Sequence, residues 1–245
     1  MTDEPILEAR GLTKRFGSIA AVDGIDLELR RGESLAVFGP NGAGKTTLTR
    51  ILTSTLRPTS GTLRIAGRDP REDELRSRRI LGLISHQTFL YDDLSARENL
   101  VFFARMHGLR DAGERADALL ASVGLGDRAD DPAGTFSRGM QQRLALARCL
   151  VHDPELVFLD EPFTGLDPHA ASLFRAALGR IRSEGRTLFL VTHSLAEGLE
   201  LCERWMILSA GRIAARGRSG ETDRAALERE YFLRVGKPRS PGAVA

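Results

Sequence analysis

Residues 34–47 read SLAVFGPNGAGKTT. An unbroken apolar run passes into a glycine-rich turn and then into LTRILT, so the turn joins a buried strand to a helix. In that setting GPNGAGKTT (39–47) has the pattern of a phosphate-binding loop. Gly39, Gly42 and Gly44 let the backbone curl around Pro40 so that successive N–H groups, with those of Asn41 and Ala43, face an anion, and the helix start adds its dipole. Lys45 offers a point charge to β- and γ-phosphates, Thr46 a hydroxyl to Mg²⁺, and Thr47 continues the first turn. Lysine occurs three times, at Lys14, Lys45 and Lys237, against 32 arginines. A chain that otherwise prefers arginine keeps lysine where a slim ammonium fits and a planar guanidinium does not.

Working outward, ILEARGLTKRF and IDLELRRGE alternate apolar and polar residues between glycines and predict short strands ahead of SLAVF. TLRIAG (62–67) predicts another strand, and RDPREDELRSRR after it a solvated loop and helix. LGLIS, LVFLD and TLFLVTH are short buried runs, each followed by a helical pattern, which is the rhythm of a parallel sheet with crossover helices. Residues of about 90 to 150 carry Ala, Leu and Arg at helical spacing with no buried-strand run, and predict a helical insertion. The tail from 236 to 245, with few apolar residues and two prolines, predicts disorder.

LVFLDEP (156–162) ends a buried strand in two carboxylates. Asp160 is placed to serve a Mg²⁺ shell and Glu161 to polarise an attacking water. LVTHS (190–194) puts His193 at another strand end, within reach of a γ-phosphate; taken alone, a histidine there can be structural.

Bulk properties narrow the class. The 245 residues carry a formal net charge of +2, with 28% charged and 42% hydrophobic residues, so no basic face suited to nucleic acid is implied and no nucleic-acid partner is expected. No stretch approaches the roughly 18 apolar residues that span a bilayer, and MTDEPILEAR lacks the regions of a signal peptide. Cys149 and Cys202 lack metal or CxxC spacing and read as buried apolar residues of a reducing compartment.

The order of these motifs resembles the nucleotide-binding subunits of ABC transporters over nearly the whole chain. The resemblance implies a P-loop NTPase (RecA-like) α/β core with an N-terminal antiparallel β subdomain and an inserted α-helical subdomain, a single ATPase domain over 1–235 with the insertion at about 88–152. It implies ATP and Mg²⁺ as ligands, a second cassette as dimer partner (a homodimer or a heterodimer), and an integral membrane subunit that a peripheral protein on the cytoplasmic side of the cell membrane would drive. By that resemblance Phe16 stacks on adenine, Gln87 reaches Mg²⁺ and water and reports to the membrane subunit, and Asp167 in FTGLDP contacts the opposite subunit. Singly, Phe16 also reads as core, Gln87 as a solvated loop residue, and Asp167 as a turn former before Pro168. His86, His107, His152 and His169 read as surface residues.

FSRGMQQR (136–143) matches the family's LSGGQ signature in part. Ser137 and Gly139 are retained, and the resemblance places them against the γ-phosphate bound by the other subunit. Arg138 stands at the first glycine and Met140 at the glutamine. If Ser137 caps a helix that presents Leu144, Ala147 and Val151 on one face, Arg138 lies in its first turn, where an exposed cation opposes the dipole by about 0.3–1 kcal/mol. Met140 cannot complete a capping box. Two readings of Arg138 follow: it meets a phosphate of the opposite subunit, or it turns outward to solvent or a nearby acid. Within the family, FSRGM, SHQTFLYDDLSARENL and DEPFTGLDP look most like the haem-export subunits of cytochrome c maturation, with drug and lipid exporters close behind. A soluble ABC protein without a membrane partner is the alternative from another class.

Overall fold

A computed structural model describes residues 4–85 and 87–236. The expected disorder of the tail from 237 and the surface placement of His86 lie outside the described residues. The chain opens in two antiparallel strands, β1 (Pro5–Phe16) and β2 (Ile19–Arg30). They are long, not short, because Gly11 and Gly24 sit inside them: the register shifts there instead of ending, and Asp26 Oδ1 accepts the Gly11 N–H at 2.8 Å. These glycines mark bulges. Next come β3 (Ser34–Phe38), buried at all five positions, α1 (Lys45–Leu52) and β4 (Ser60–Ile65), which returns to pair with β1. The resulting three-stranded sheet has the order β2-β1-β4.

The charged segment after β4 forms a loop and α2 (Glu74–Ile80), capped by Asp73, whose side chain accepts the Arg76 N–H. It leads directly into β5 (Leu81–Ile84). Among the described residues no strand lies between β5 and β6; that stretch holds α3 (Ala96–Met106), α4 (Ala112–Ser122) and α5 (Arg138–Cys149). α3 opens with a capping box between Ser95 and Glu98. The chain then runs through β6 (Leu156–Asp160), α6 (Pro168–Ser183), β7 (Thr187–Val191), α7 (Leu195–Leu201), β8 (Arg204–Ser209), β9 (Arg212–Arg218) and α8 (Arg224–Val235).

The larger sheet has the order β5-β6-β7-β3-β8-β9, parallel through β8 with β9 antiparallel at the edge. Its central strands read as continuous apolar runs because alternate residues serve different cores. Leu35, Val37 and Phe158 pack with α1 and the antiparallel sheet, while Ala36, Phe38, Val157 and Leu159 pack with α3 to α7. Each fully buried Leu or Phe contributes about 1.5–3 kcal/mol. In α5, Leu144 and Ala147 are buried as expected, but Val151 is buried just beyond the helix end.

Candidate functional site

The strand order brings the sequence-predicted residues to one place. β5, β6, β7 and β3 are consecutive neighbours, and Gln87, Asp160 with Glu161, His193 and the glycine loop follow their C-terminal ends in turn. Ligands bind at that edge of an open parallel sheet. The loop is held from two sides. A Cβ on Gly39 would stand 2.3 Å from the Leu208 carbonyl oxygen, and one on Gly44 would stand 2.1 Å from that of Ala21 in β2. Glycine is therefore required at both, and the antiparallel sheet buttresses the loop. The Ala43 N–H donates to Pro40 O at 3.1 Å, and Ala43 O accepts from Gly211 N at 3.0 Å.

α1 starts at Lys45 with no acidic residue in its first turn, so its unpaired N–H groups face outward with their dipole uncompensated. Asn41, Gly42 and Thr46 are exposed there, and Thr47 is half-buried. Lys45 Nζ donates to Gly39 O at 2.5 Å and to Pro40 O at 3.0 Å. Burial holds its pKa below the ordinary lysine value, while the charges of Glu161 and Asp160 pull the other way. The ammonium thus feels both carboxylates across the sheet edge.

Glu161 adopts a left-handed backbone (φ 52°), uncommon for a non-glycine residue, and its N–H is fixed on Val191 O at 2.9 Å. Its Oε2 lies 2.7 Å from His193 Nδ1 and 3.4 Å from the His193 N–H. An ionised carboxylate only accepts, so Nδ1–H donates and Nε2 is left for another partner. Thr192 and Glu197, which carry no signal in the sequence, shape this turn: Thr192 Oγ1 accepts the Ser194 N–H at 3.1 Å and donates to Glu197 Oε2 at 3.3 Å. Burial raises the Glu197 pKa.

Gln87 is exposed, with its backbone bracketed by the Ser85 hydroxyl, which accepts from Gln87 N at 3.3 Å and donates to Gln87 O at 3.1 Å. Phe16 ends β1 and is 52% exposed, which corrects its reading as core. Lys14 Nζ stands 5.3 Å from its ring centroid.

Ser137 caps α5, its Oγ accepting the Met140 N–H at 3.3 Å, and Met140 packs against the core without completing a capping box. Gly139 is buried against α6, where an added Cβ would lie 2.4 Å from that of Ala170. Asp167 caps α6, Oδ1 accepting from Ala170 N at 2.8 Å. Arg138 is exposed, as the outward reading expects, and its Nε–H donates to a partner that neither reading named, the Thr164 carbonyl, at 3.0 Å. Of the remaining histidines, His107 and His169 are exposed, but His152 is not a surface residue. Its ring stacks on His107 at 4.1 Å, its Nε2–H donates to Leu81 O at 2.9 Å, and burial drives its pKa down to about 4.

A family model for the ABC transporter matches residues 22–164. The chain is 40% identical over 213 residues to a daunorubicin resistance ATP-binding protein of Streptomyces coeruleorubidus, covering 86% of this chain and 67% of that one. It is 38% identical over 219 residues to a Nod factor export ATP-binding protein of Ralstonia nicotianae, covering 89% and 68%. A fluoroquinolones export ATP-binding protein of Mycobacterium tuberculosis is 40% identical over 214 residues, covering 86% and 70%. Among solved structures, cbiO1 of Clostridium perfringens superposes with a TM-score of 0.84 at 27% identity, covering 95% and 96%. A dimeric ATP-binding cassette in a post-hydrolysis state with ADP and Pi superposes at 0.78 with 26% identity, covering 87% and 98%. With its glycine loop, paired carboxylates and histidine on neighbouring strand ends, the chain belongs to the ABC transporter family, as an ATP-binding and ATP-hydrolysing subunit.

Proposed function

We propose that this ATPase powers export of a small organic compound through a separate membrane subunit. The observation that carries the catalytic part is the Glu161–His193 pair beside the Lys45 loop, on adjacent strand ends. Phe16 stacks on the base. The loop from Gly39 to Thr47 wraps the phosphates with N–H groups, and Lys45 neutralises their charge. Glu161 takes the proton of the attacking water, and His193, oriented by the Glu161 carboxylate, turns Nε2 to the γ-phosphate. Thr46, Asp160 and Gln87 are hard oxygen donors suited to Mg²⁺, which needs few protein ligands and would offset phosphate charge. Ser137 and Gly139 face the nucleotide of a second cassette, and Asp167 lies at the same seam.

The export reading rests on the relatives, two of which are named for drugs and one for Nod factor. They favour the drug-exporter alternative over haem export, which none of their names suggests. No helix among the described residues is long and apolar enough to cross a membrane, which accords with a separate membrane subunit. Glu161→Gln should bind ATP but release phosphate about 10²–10⁴-fold more slowly, the usual effect of losing a general base. Turnover within a few-fold of wild type would move the base elsewhere. The complex purified with its membrane subunit should hydrolyse ATP faster with a planar polycyclic drug than with haem; the reverse result would restore haem export, and failure to find any membrane subunit would favour a soluble ABC protein.

A further inference from the structure

Arg138 opens α5 at a position where its charge opposes the helix dipole, so its retention calls for a local partner. The partner is backbone. Its Nε–H donates to Thr164 O at 3.0 Å, in the loop between β6 and α6. The Arg138 side chain also packs closely against that loop, since a Cβ on Gly165 would come 2.6 Å from Nε, 3.1 Å from Cδ and 3.2 Å from Cζ. The same loop leads back to the catalytic carboxylate: the Thr164 N–H donates to the Glu161 carbonyl at 3.2 Å, and Leu166 N to Phe163 O at 3.1 Å. Beside this contact Gly139 seats against Ala170 in the first turn of α6, the turn that Asp167 caps. The start of α5 is thus joined to the loop after Glu161 at Arg138 and to the first turn of α6 at Gly139.

We propose that Arg138 is a positioning residue that clamps the start of α5 to the loop after β6 in its own chain, through Nε–H donation to Thr164 O, and so holds Glu161 in place. The clamp rests on the ATPase reading for its effect on turnover, but not for its effect on the loop. A glycine cannot make it. The clamp uses the donor on Cδ and not the charge, which separates it from a phosphate contact with a second subunit. Gln carries an N–H donor on Cδ, where Arg carries Nε; Lys has a methylene there and a charge farther out.

The test is a series of Arg138→Ala, Arg138→Gln and Arg138→Lys. Arg138→Ala should lower kcat about 3- to 10-fold, the typical worth of one hydrogen bond, and leave KM for ATP within about two-fold. Arg138→Gln should recover most of the loss and Arg138→Lys should not. Hydrogen exchange of the 161–168 segment reads the clamp without turnover: it should quicken in the Ala and Lys variants and stay near wild type with Gln. A chain that follows this exchange series yet hydrolyses no ATP would sink the ATPase reading and keep the clamp. Recovery by Lys but not Gln, or exchange equal in all forms, would overturn it.

Discussion

His152 shows how one side chain can tie stability to acidity. Nε2 donates to Leu81 O, Nδ1 is buried without a partner, and the ring lies between His107, Arg148 and Asp153. Adding a proton at Nδ1 would put a charge where no acceptor waits, next to a guanidinium that is itself pushed below its ordinary pKa by burial. The group titrates near 6.5 unfolded and near 4 folded, so the unfolded chain binds the proton first as pH falls. Stability from this site is intact above 6.5 and is lost as pH falls from there towards 4. Urea midpoints measured across that interval should drop, and His152→Gln, which keeps a donor for Leu81 O and cannot titrate, should flatten the slope. An unchanged slope would place the acid sensitivity at other groups. None of this was legible in the sequence, where VHDPE looks like a polar turn; the burial comes from the stacking of His107 at the end of α3, which no local pattern encodes. The roles of Lys45, Asp160 and Glu161 were legible because their chemistry depends on strand ends that apolar runs announce. Arg138's carbonyl partner was not, because it comes from a loop 26 residues away.

At the level of elements, the parallel strands and crossover helices were readable because burial on both faces leaves apolar runs. The β1–β2 pair is longer than its alternation predicts because a glycine in a bulge and a glycine in a turn look alike in sequence. The edge strand β9 carries little sequence signal, since RIAARGR is a charged, partly exposed stretch with few apolar residues. α3 carries its own unanswered feature. Phe102 meets Tyr91 edge-on at 5.0 Å and Phe103 at 5.4 Å, while Phe103 lies 5.1 Å from the Arg148 guanidinium of α5. Phe103 is partly buried, but Phe102 and Tyr91 are 38% and 49% exposed and sit beside the Gln87 loop. Two aromatic faces so placed suit an apolar helix of the membrane subunit. Phe102→Arg should abolish co-purification with that subunit and leave ATP affinity, measured by calorimetry, unchanged. Assembly at wild-type levels would send the docking surface elsewhere.

The molecule as a whole is two cores separated by one sheet, and its cysteines lie on the helical side of it. Cys149 and Cys202 are both buried to 2% exposure, and burial pushes the Cys149 thiol up to about 12 and the Cys202 thiol higher still. Cys149 fits so closely that any side chain at Gly82 would reach within 2.5 Å of its sulfur. As a thiolate does the nucleophilic work, neither sulfur offers a reagent anything at neutral pH. Ellman's reagent should find almost no thiol in the folded chain and two per chain in denaturant, the whole complement of the sequence. Prompt reaction of the native protein would mean that the helical core opens far more often than its packing implies. The same silence makes the natural protein a blank background for labelling: a single cysteine introduced on an exposed position such as Leu233 can carry a dye without either native sulfur being removed, so distances between cassettes become measurable in an otherwise unaltered chain.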